Sequence, residues 1–176
     1  MTPANADRLR AAIRDVVDFP KPGIIFKDIT PVLSDPALLG IAVEAFIEAT
    51  RPLKVTKVVG IESRGFIFGA PVALALGVGF VPVRKKGKLP WQCEAISYAL
   101  EYGEATIEMH RDSVTPGERV VIIDDLLATG GTAVAAVGLV KRLGAEVAEA
   151  QFLIELGFLS GRAALESTAT RSFLVF

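Results

Sequence analysis

An α/β fold with a central parallel sheet flanked by helices is what this sequence predicts, on three observations. Strand-like runs alternate with helical stripes along most of the chain, the pattern of strands joined by crossover helices. The runs Lys57–Ile61 and Val120–Ile123 are almost continuously apolar, as expected of strands covered on both faces. The groups Glu62-Ser63-Arg64-Gly65, Arg84-Lys85-Lys86, Asp124-Asp125 and Glu155 fall at strand ends. Open α/β sheets bind ligands outside the carboxyl ends of their strands, so these groups should gather at one rim.

Each element follows in order. Apolar positions 9, 12, 13, 16 and 17 predict an amphipathic helix over residues 6–17. The segment Phe19–Pro31 carries three prolines, cannot be a regular helix, and is unusually apolar for a loop. Ser34 is placed to cap a helix over about 35–49, with Pro36 in its first turn. Lys57–Ile61 is a short buried strand, and Ser63 caps a helix that runs to about Leu76 and closes at Gly77. Val78–Val83 is a strand that ends near Pro82 or lies beside an unpaired edge. Residues 84–96 read as loop. Alternation around Glu101-Tyr102-Gly103-Glu104 predicts a hairpin, with Ser97–Leu100 pairing Ala105–Met109. Glu146–Glu155 is a strand, Gly161–Leu165 a short helical turn, and Ser172–Phe176 a last strand.

The chain has 176 residues, enough for one domain with a sizeable core, and 51% of them are apolar. A mean hydropathy of +0.46 suits a doubly covered sheet with a further face for a partner subunit. The formal charge of -1 supplies no global attraction to nucleic acid or to a membrane surface. Cys93 is the single cysteine, so no internal disulfide forms and a reducing compartment is expected. No apolar run reaches the ~18 residues of a membrane span, and the N-terminus lacks the plan of a signal peptide. The expected location is the cytoplasm.

The densest chemistry lies in Val120–Thr132. A buried strand ends in Asp124 and Asp125, a loop of small residues follows, and apolar positions 133, 134, 136, 137, 140 and 143 mark a helix from Thr132 to Leu143. Helix N-termini reached by a Gly-rich loop offer free N–H groups to a phosphate. Two carboxylates beside them suit paired hydroxyls such as those of a ribose. The plain alternative is a strand-turn-helix with solvated acids. The loop is not a Walker A sequence, since it lacks Gly-Lys-Ser/Thr, and no Gly-x-Gly-x-x-Gly marks a dinucleotide site.

The string Ile122–Thr132 resembles the phosphoribosyl-diphosphate signature of the type I phosphoribosyltransferase family. Phe19–Leu33, Glu62-Ser63-Arg64-Gly65-Phe66, Arg84–Pro90, Ser97–Gly103 and Glu155 with Gly161-Arg162 extend the likeness along nearly the whole chain, toward members that act on adenine. The resemblance implies a type I phosphoribosyltransferase fold over 1–176, with an N-terminal hood at about 1–33 and a mobile loop at about 84–110. It implies transfer of the 5-phosphoribosyl group of phosphoribosyl diphosphate to adenine, giving AMP and pyrophosphate, with Mg²⁺ and in a homodimer. Ala128, Thr129, Gly130, Gly131 and Thr132 would cradle the 5-phosphate, and Asp124 and Asp125 would hold the ribose hydroxyls. The alternative for the two acids is direct metal ligation; Mg²⁺ in this family is held mostly by the ligand's own diphosphate and hydroxyls, so no protein metal ligand is assigned. Arg64, with Arg84 and Lys88, would meet the diphosphate leaving group, the latter two across the dimer interface. Phe26 would stack on the base and Ile25 would offer backbone hydrogen bonds to its edge. Glu101 would take the purine proton or stabilise the oxocarbenium-like transition state, with Tyr98 and Tyr102 packing the closed loop.

Bland alternatives stand beside these roles: Ile25 and Phe26 as core, Arg64 and the 84–88 cluster as solvated charge, Glu101 as an exposed hairpin acid. Trp91-Gln92-Cys93-Glu94-Ala95-Ile96 departs from the family's Gly-Pro-Thr after Lys-Leu-Pro. Nothing beside Cys93 marks a catalytic thiol, and His110 reads as structural. Two other functions keep the phosphate loop: transfer to hypoxanthine, guanine or xanthine, and a non-catalytic sensor of phosphoribosyl diphosphate. The sensor would need a nucleic-acid surface that no basic helix here supplies.

Overall fold

Thr2 starts the first helix: its side chain accepts the Asn5 N–H, and Pro3 occupies the first turn, where a missing N–H costs nothing. In this computed structural model, which describes residues 1–99, 104–165 and 167–176, the chain divides into two units, Met1–Ala45 and Phe46–Phe176. The first contains α1 (Pro3–Ala12), β1 (Arg14–Val17), β2 (Ile25–Asp28) and α2 (Thr30–Ser34); the division falls within α3 (Pro36–Thr50). The helix expected over 6–17 therefore stops early. Val16 and Val17, β-branched and better suited to a strand, pair antiparallel with Phe26 and Ile25. Asp35, not Ser34, caps α3, accepting the N–H groups of Ala37 and Leu38 at 2.8 and 3.1 Å. Ser34 instead turns its hydroxyl back to the Pro31 carbonyl.

The second unit holds β3 (Lys57–Ile61), α4 (Gly65–Leu76), β4 (Gly79–Lys85), β5 (Cys93–Ala99), β6 (Glu104–His110), β7 (Arg119–Leu127), α5 (Gly131–Arg142), β8 (Glu146–Glu155), α6 (Gly161–Ala164) and β9 (Thr170–Val175). Among the described residues seven strands form one sheet in the order β5-β6-β4-β3-β7-β8-β9. The run from β4 to β9 is parallel, and the β5–β6 hairpin is added antiparallel to β4. Side chains alternate across each strand. Val59, Ile61, Val81, Val83, Val120 and Ile122 pack with Ala133, Ala136 and Val140 of α5. Their sequence neighbours turn to the opposite face, where Gly69 of α4 lies over Val58 and Phe80. The two helices thus cover opposite faces, and β7, buried on both, is the near-continuous apolar run of the sequence.

Pro82 sits inside β4. The neighbouring Val83 carbonyl accepts the Glu62 N–H on the β3 side, so the missing Pro82 donor faces β6, whose pairing starts only at Arg84. Residues 84–96 are less of a loop than expected: β4 continues to Lys85 and β5 begins at Cys93. The period-2 signal of Cys93–Ile96 is weak because both faces of this hairpin strand are half open. β7 likewise continues past its acid pair to Leu127.

Glu118 closes the turn before β7. It receives the Lys57 ammonium at 2.8 Å and the Thr115 N–H at 2.8 Å. The Lys57 contact, helped by that N–H, holds its carboxyl at about 2 against an ordinary 4.5. A depressed folded-state value adds stability that is present above the unfolded value and is lost as pH falls through the folded one. Glu118→Gln should therefore lower stability at pH 7 by about 0.5–1 kcal/mol, the scale of a half-exposed pair. Urea melts at pH 7 and pH 2 check this: the gap between variant and wild type should narrow toward pH 2.

Candidate active site

Where β7 leaves the sheet, its carboxyl end opens a cleft of about 590 Å³. Ile61–Arg64, Lys85, Tyr98, Ala105–Ile107 and the continuous run Asp124–Ala133 line it. The backbone of 128–131 turns through Gly130, whose φ of +87° is left-handed, into the first turn of α5. That turn points the unpaired N–H groups of a twelve-residue helix at the cleft.

Close backbone approaches fix this loop. A Cβ added at Gly161, the first residue of α6, would stand 2.0 Å from the Ala128 carbonyl oxygen. One added at Gly130 would stand 2.6 Å from the Gly161 carbonyl oxygen. Arg162 ties α6 down: its guanidinium grips both carboxylate oxygens of Glu155 and donates to the Thr170 carbonyl at 2.7 Å. This pairing holds the Glu155 carboxyl below its usual range. Glu155, expected at the rim, is thus a support for the loop, outside the cleft lining.

The acid pair occupies the floor. Asp124 accepts the Asp125 N–H at 2.9 Å, and Asp125 meets the Arg64 guanidinium at 2.8 Å. Burial pushes the Asp124 carboxyl well above the carboxylate range, and the adjacent Asp125 charge adds to it. Burial also raises Asp125, against the pull of Arg64. Arg64 precedes α4, whose Gly65 leaves room for nothing larger: a Cβ there would stand 2.6 Å from the Ile123 carbonyl oxygen. The Glu62–Ser63 peptide bond beside it is cis.

The cleft therefore assembles Arg64, Asp124, Asp125, Ala128, Thr129, Gly130, Gly131 and Thr132 in one place. Arg84 and Lys88 are not among its lining residues. Arg84 turns to Glu62, with both guanidinium contacts at 3.2 Å, and donates to the Lys88 carbonyl at 3.0 Å. Burial alone would raise Glu62, but the Arg84 pairing and the Lys85 N–H outweigh it and lower its carboxyl. Ile25 and Phe26 belong to the first unit, in β2, where the Phe26 ring meets Phe19 edge-on at 5.2 Å. Glu101 and Tyr102 lie outside the described residues.

Three contributions escaped the sequence. Lys85, not Arg84, faces the cleft, since neighbours on a strand point to opposite faces. Glu108 accepts three successive N–H groups, of Gly87, Lys88 and Leu89, at 3.0, 3.1 and 3.1 Å, and so folds the basic loop around one buried carboxylate. A Glu amid the apolar positions of β6 was the available signal. The third is the partner of Tyr98, a residue expected to pack the closed loop: its hydroxyl meets Thr132 Oγ1 at 2.8 Å. Burial pushes the Cys93 thiol up, and Glu108 adds to it.

The buried acids predict a trade of stability for function. A raised folded-state carboxyl contributes stability that is full below the unfolded-state value and is lost as pH rises through the folded-state one. Asp124→Asn keeps the acceptor for the Asp125 N–H and removes the charge. It should raise Tm at pH 7.5 by about 2–4 °C, the shift expected of roughly 1 kcal/mol in a domain of this size, with the gain shrinking at acidic pH. Calorimetric scans over pH 5–8 check it.

The sequence profile of the phosphoribosyl transferase domain matches residues 34–172. An adenine phosphoribosyltransferase of Anaeromyxobacter dehalogenans is 57% identical over 170 residues, spanning 97% of this chain and 99% of that protein. The crystal structure of the adenine phosphoribosyltransferase of Rhodothermus marinus is similar with a TM-score of 0.94 and 55% identity, over 99% of this chain and 100% of that one. The Saccharomyces cerevisiae enzyme, complexed with an imino-altritol bisphosphate and adenine, gives a TM-score of 0.93 at 42% identity over 98% and 99%. The chain belongs to the adenine phosphoribosyltransferase family.

Proposed function

We propose that the protein transfers the 5-phosphoribosyl group of phosphoribosyl diphosphate to adenine, forming AMP and pyrophosphate. One observation supports this above others: a buried acid pair and a helix N-terminus open into the same cleft, with Arg64 paired to Asp125. The 5-phosphate takes the N–H groups and hydroxyls of 128–132, where the α5 macrodipole favours negative charge. The ribose hydroxyls donate to Asp124 and Asp125. Acceptors of this kind hold the sugar while positive charge develops at its C1. Arg64 and Lys85 are the cations nearest to the departing diphosphate, and such charges help most where water is excluded. Base recognition falls to Phe26 for stacking and Ile25 for backbone hydrogen bonds, with Glu101 taking the purine proton and Tyr102 shielding it. In this reading residues 1–176 make one phosphoribosyltransferase domain, with a hood at about 1–33 and a catalytic loop within 84–110.

Mg²⁺ fits the floor of the cleft as a shared guest. Carboxylate and hydroxyl oxygens suit a hard cation, and no group of three or more His, Cys, Asp or Glu among the described residues forms a cage of its own. Asp124 and Asp125 would hold it jointly with the donor's oxygens, and bound Mg²⁺ would neutralise diphosphate charge. Arg84, stapled to Glu62, presents the loop that exposes Lys88, and we assign both to the diphosphate site of a second copy of the chain in a homodimer. Among the described residues no helix is long and apolar enough to cross a membrane. A cytoplasmic homodimer with small-molecule substrates and no nucleic-acid partner completes the reading.

Pyrophosphate release, measured with phosphoribosyl diphosphate, Mg²⁺ and one purine at a time, tests the reaction. Adenine alone should support release, with AMP in equal amount. Release with hypoxanthine or guanine instead would overturn the base assignment, and donor binding without release would favour a sensor. Glu101→Gln should lower kcat by about 10²-fold, the scale of one general acid–base group, while donor KM changes by less than about threefold. An effect confined to donor KM would reassign Glu101 to positioning.

A further inference from the structure

Strand β5 lies along α5 and reaches the phosphate loop at one end. Ile96 sits over Gly138, where an added Cβ would come within 2.8 Å of Ile96 Cδ1. Two residues on, and on the same face of the strand, the Tyr98 ring sits over Gly131, where an added Cβ would come within 3.1 Å of its Cδ2. The far end is fastened by Arg142, which donates to the Ala95 carbonyl at 3.3 Å and pairs with Glu94 at 3.5 Å. Glycines at positions 131 and 138, two helical turns apart, let the strand settle on the helix. The strand thus runs up the helix to its N-terminus, the phosphate end, and there the Tyr98 hydroxyl meets Thr132 Oγ1 at 2.8 Å. Tyr98 also lines the cleft, opposite the small Ala105.

A hydroxyl has one hydrogen to give and two lone pairs to receive with. A phosphate oxygen only accepts. When Thr132 serves the 5-phosphate its hydrogen must point at the anion, which requires its other neighbour to be a donor. Tyr98 is that donor. We propose that Tyr98 is a positioning residue for the 5-phosphate: it donates to Thr132 Oγ1, fixes the Thr132 hydrogen toward the phosphate, and ties the hairpin strand that leads to Glu101 to an occupied phosphate loop. The chain Tyr98–Thr132–phosphate polarises in one direction once the anion is bound. It makes the hairpin respond to the phosphate end of the donor and not to the diphosphate end.

This rests on the 5-phosphate lying in the 128–132 loop, so the test separates the two ends of the donor. Tyr98→Phe keeps the ring over Gly131 and removes only the hydroxyl. Inhibition by ribose 5-phosphate and by pyrophosphate is measured against wild type, Tyr98→Phe, Thr132→Ala and the double variant. For Tyr98→Phe, ribose 5-phosphate inhibition and donor KM should weaken by up to about tenfold, the upper end of what one neutral hydrogen bond contributes. Pyrophosphate inhibition and adenine KM should stay within about twofold, and the double variant should be no worse than Thr132→Ala, because both act through one hydroxyl. Equal weakening of both inhibitors, or additive losses in the double variant, would overturn the inference. If Thr132→Ala weakens ribose 5-phosphate and Tyr98→Phe does not, the inference alone falls. If Thr132→Ala leaves it unchanged, the phosphate-loop assignment falls with it.

Discussion

Everything at the carboxyl end of β7 depends on backbone meeting backbone without side chains between. Gly65 lets the start of α4 rest on the Ile123 carbonyl, and Gly130 and Gly161 let the loop 128–131 rest on α6. These contacts are shorter than any Cβ would permit, so the loop's path is dictated by its supports and not by its own sequence. A loop held this way presents its N–H groups without first being ordered by a ligand. Less of the binding energy is then spent on organisation, the usual benefit of a site built on rigid elements.

The electrostatics follow from the same placement. Setting two acids near the end of a doubly covered strand forces carboxylates into a poorly solvated floor, which raises both. Arg64 compensates Asp125 directly at 2.8 Å and Asp124 less. The remaining cost is a debt that ribose hydroxyls and a cation would settle. The outer ring behaves in the opposite sense. Glu62, Glu108 and Glu155 spend their charge inside the protein, on Arg84, on the 87–89 N–H groups and on Arg162. Each anchors a segment that shapes the cleft: Glu108 and Glu155 stand outside its lining, and Glu62 lines it with its oxygens already taken by Arg84.

How legible this was in sequence tracks contact range. Val120–Thr132 could be read because strand, acid pair, loop and helix start are consecutive, so periodicity and residue type describe the whole unit. The expected helix over 6–17 failed where Val16 and Val17 continue a helical stripe by accident while pairing as a strand. Residues 84–96 looked like loop because a half-open hairpin carries little alternation. Glu108, Tyr98 and Gly161 were opaque as working parts for a different reason. Their roles lie in contacts with Gly87–Leu89, Thr132 and Ala128, each distant in the chain, and no local pattern encodes such a pairing.

Calorimetric titration of phosphoribosyl diphosphate into Gly161→Ala and wild type tests the dependence on those backbone contacts most directly. Gly161 does not line the cleft, so a methyl group there acts on the loop through the Ala128 carbonyl and the Gly130 amide. Overpacking of this kind costs roughly 1–3 kcal/mol. The Gly161→Ala variant should fold and bind the donor about tenfold or more weakly, since ~1.4 kcal/mol is one decade. A folded Gly161→Ala protein that binds the donor as tightly as wild type would contradict it.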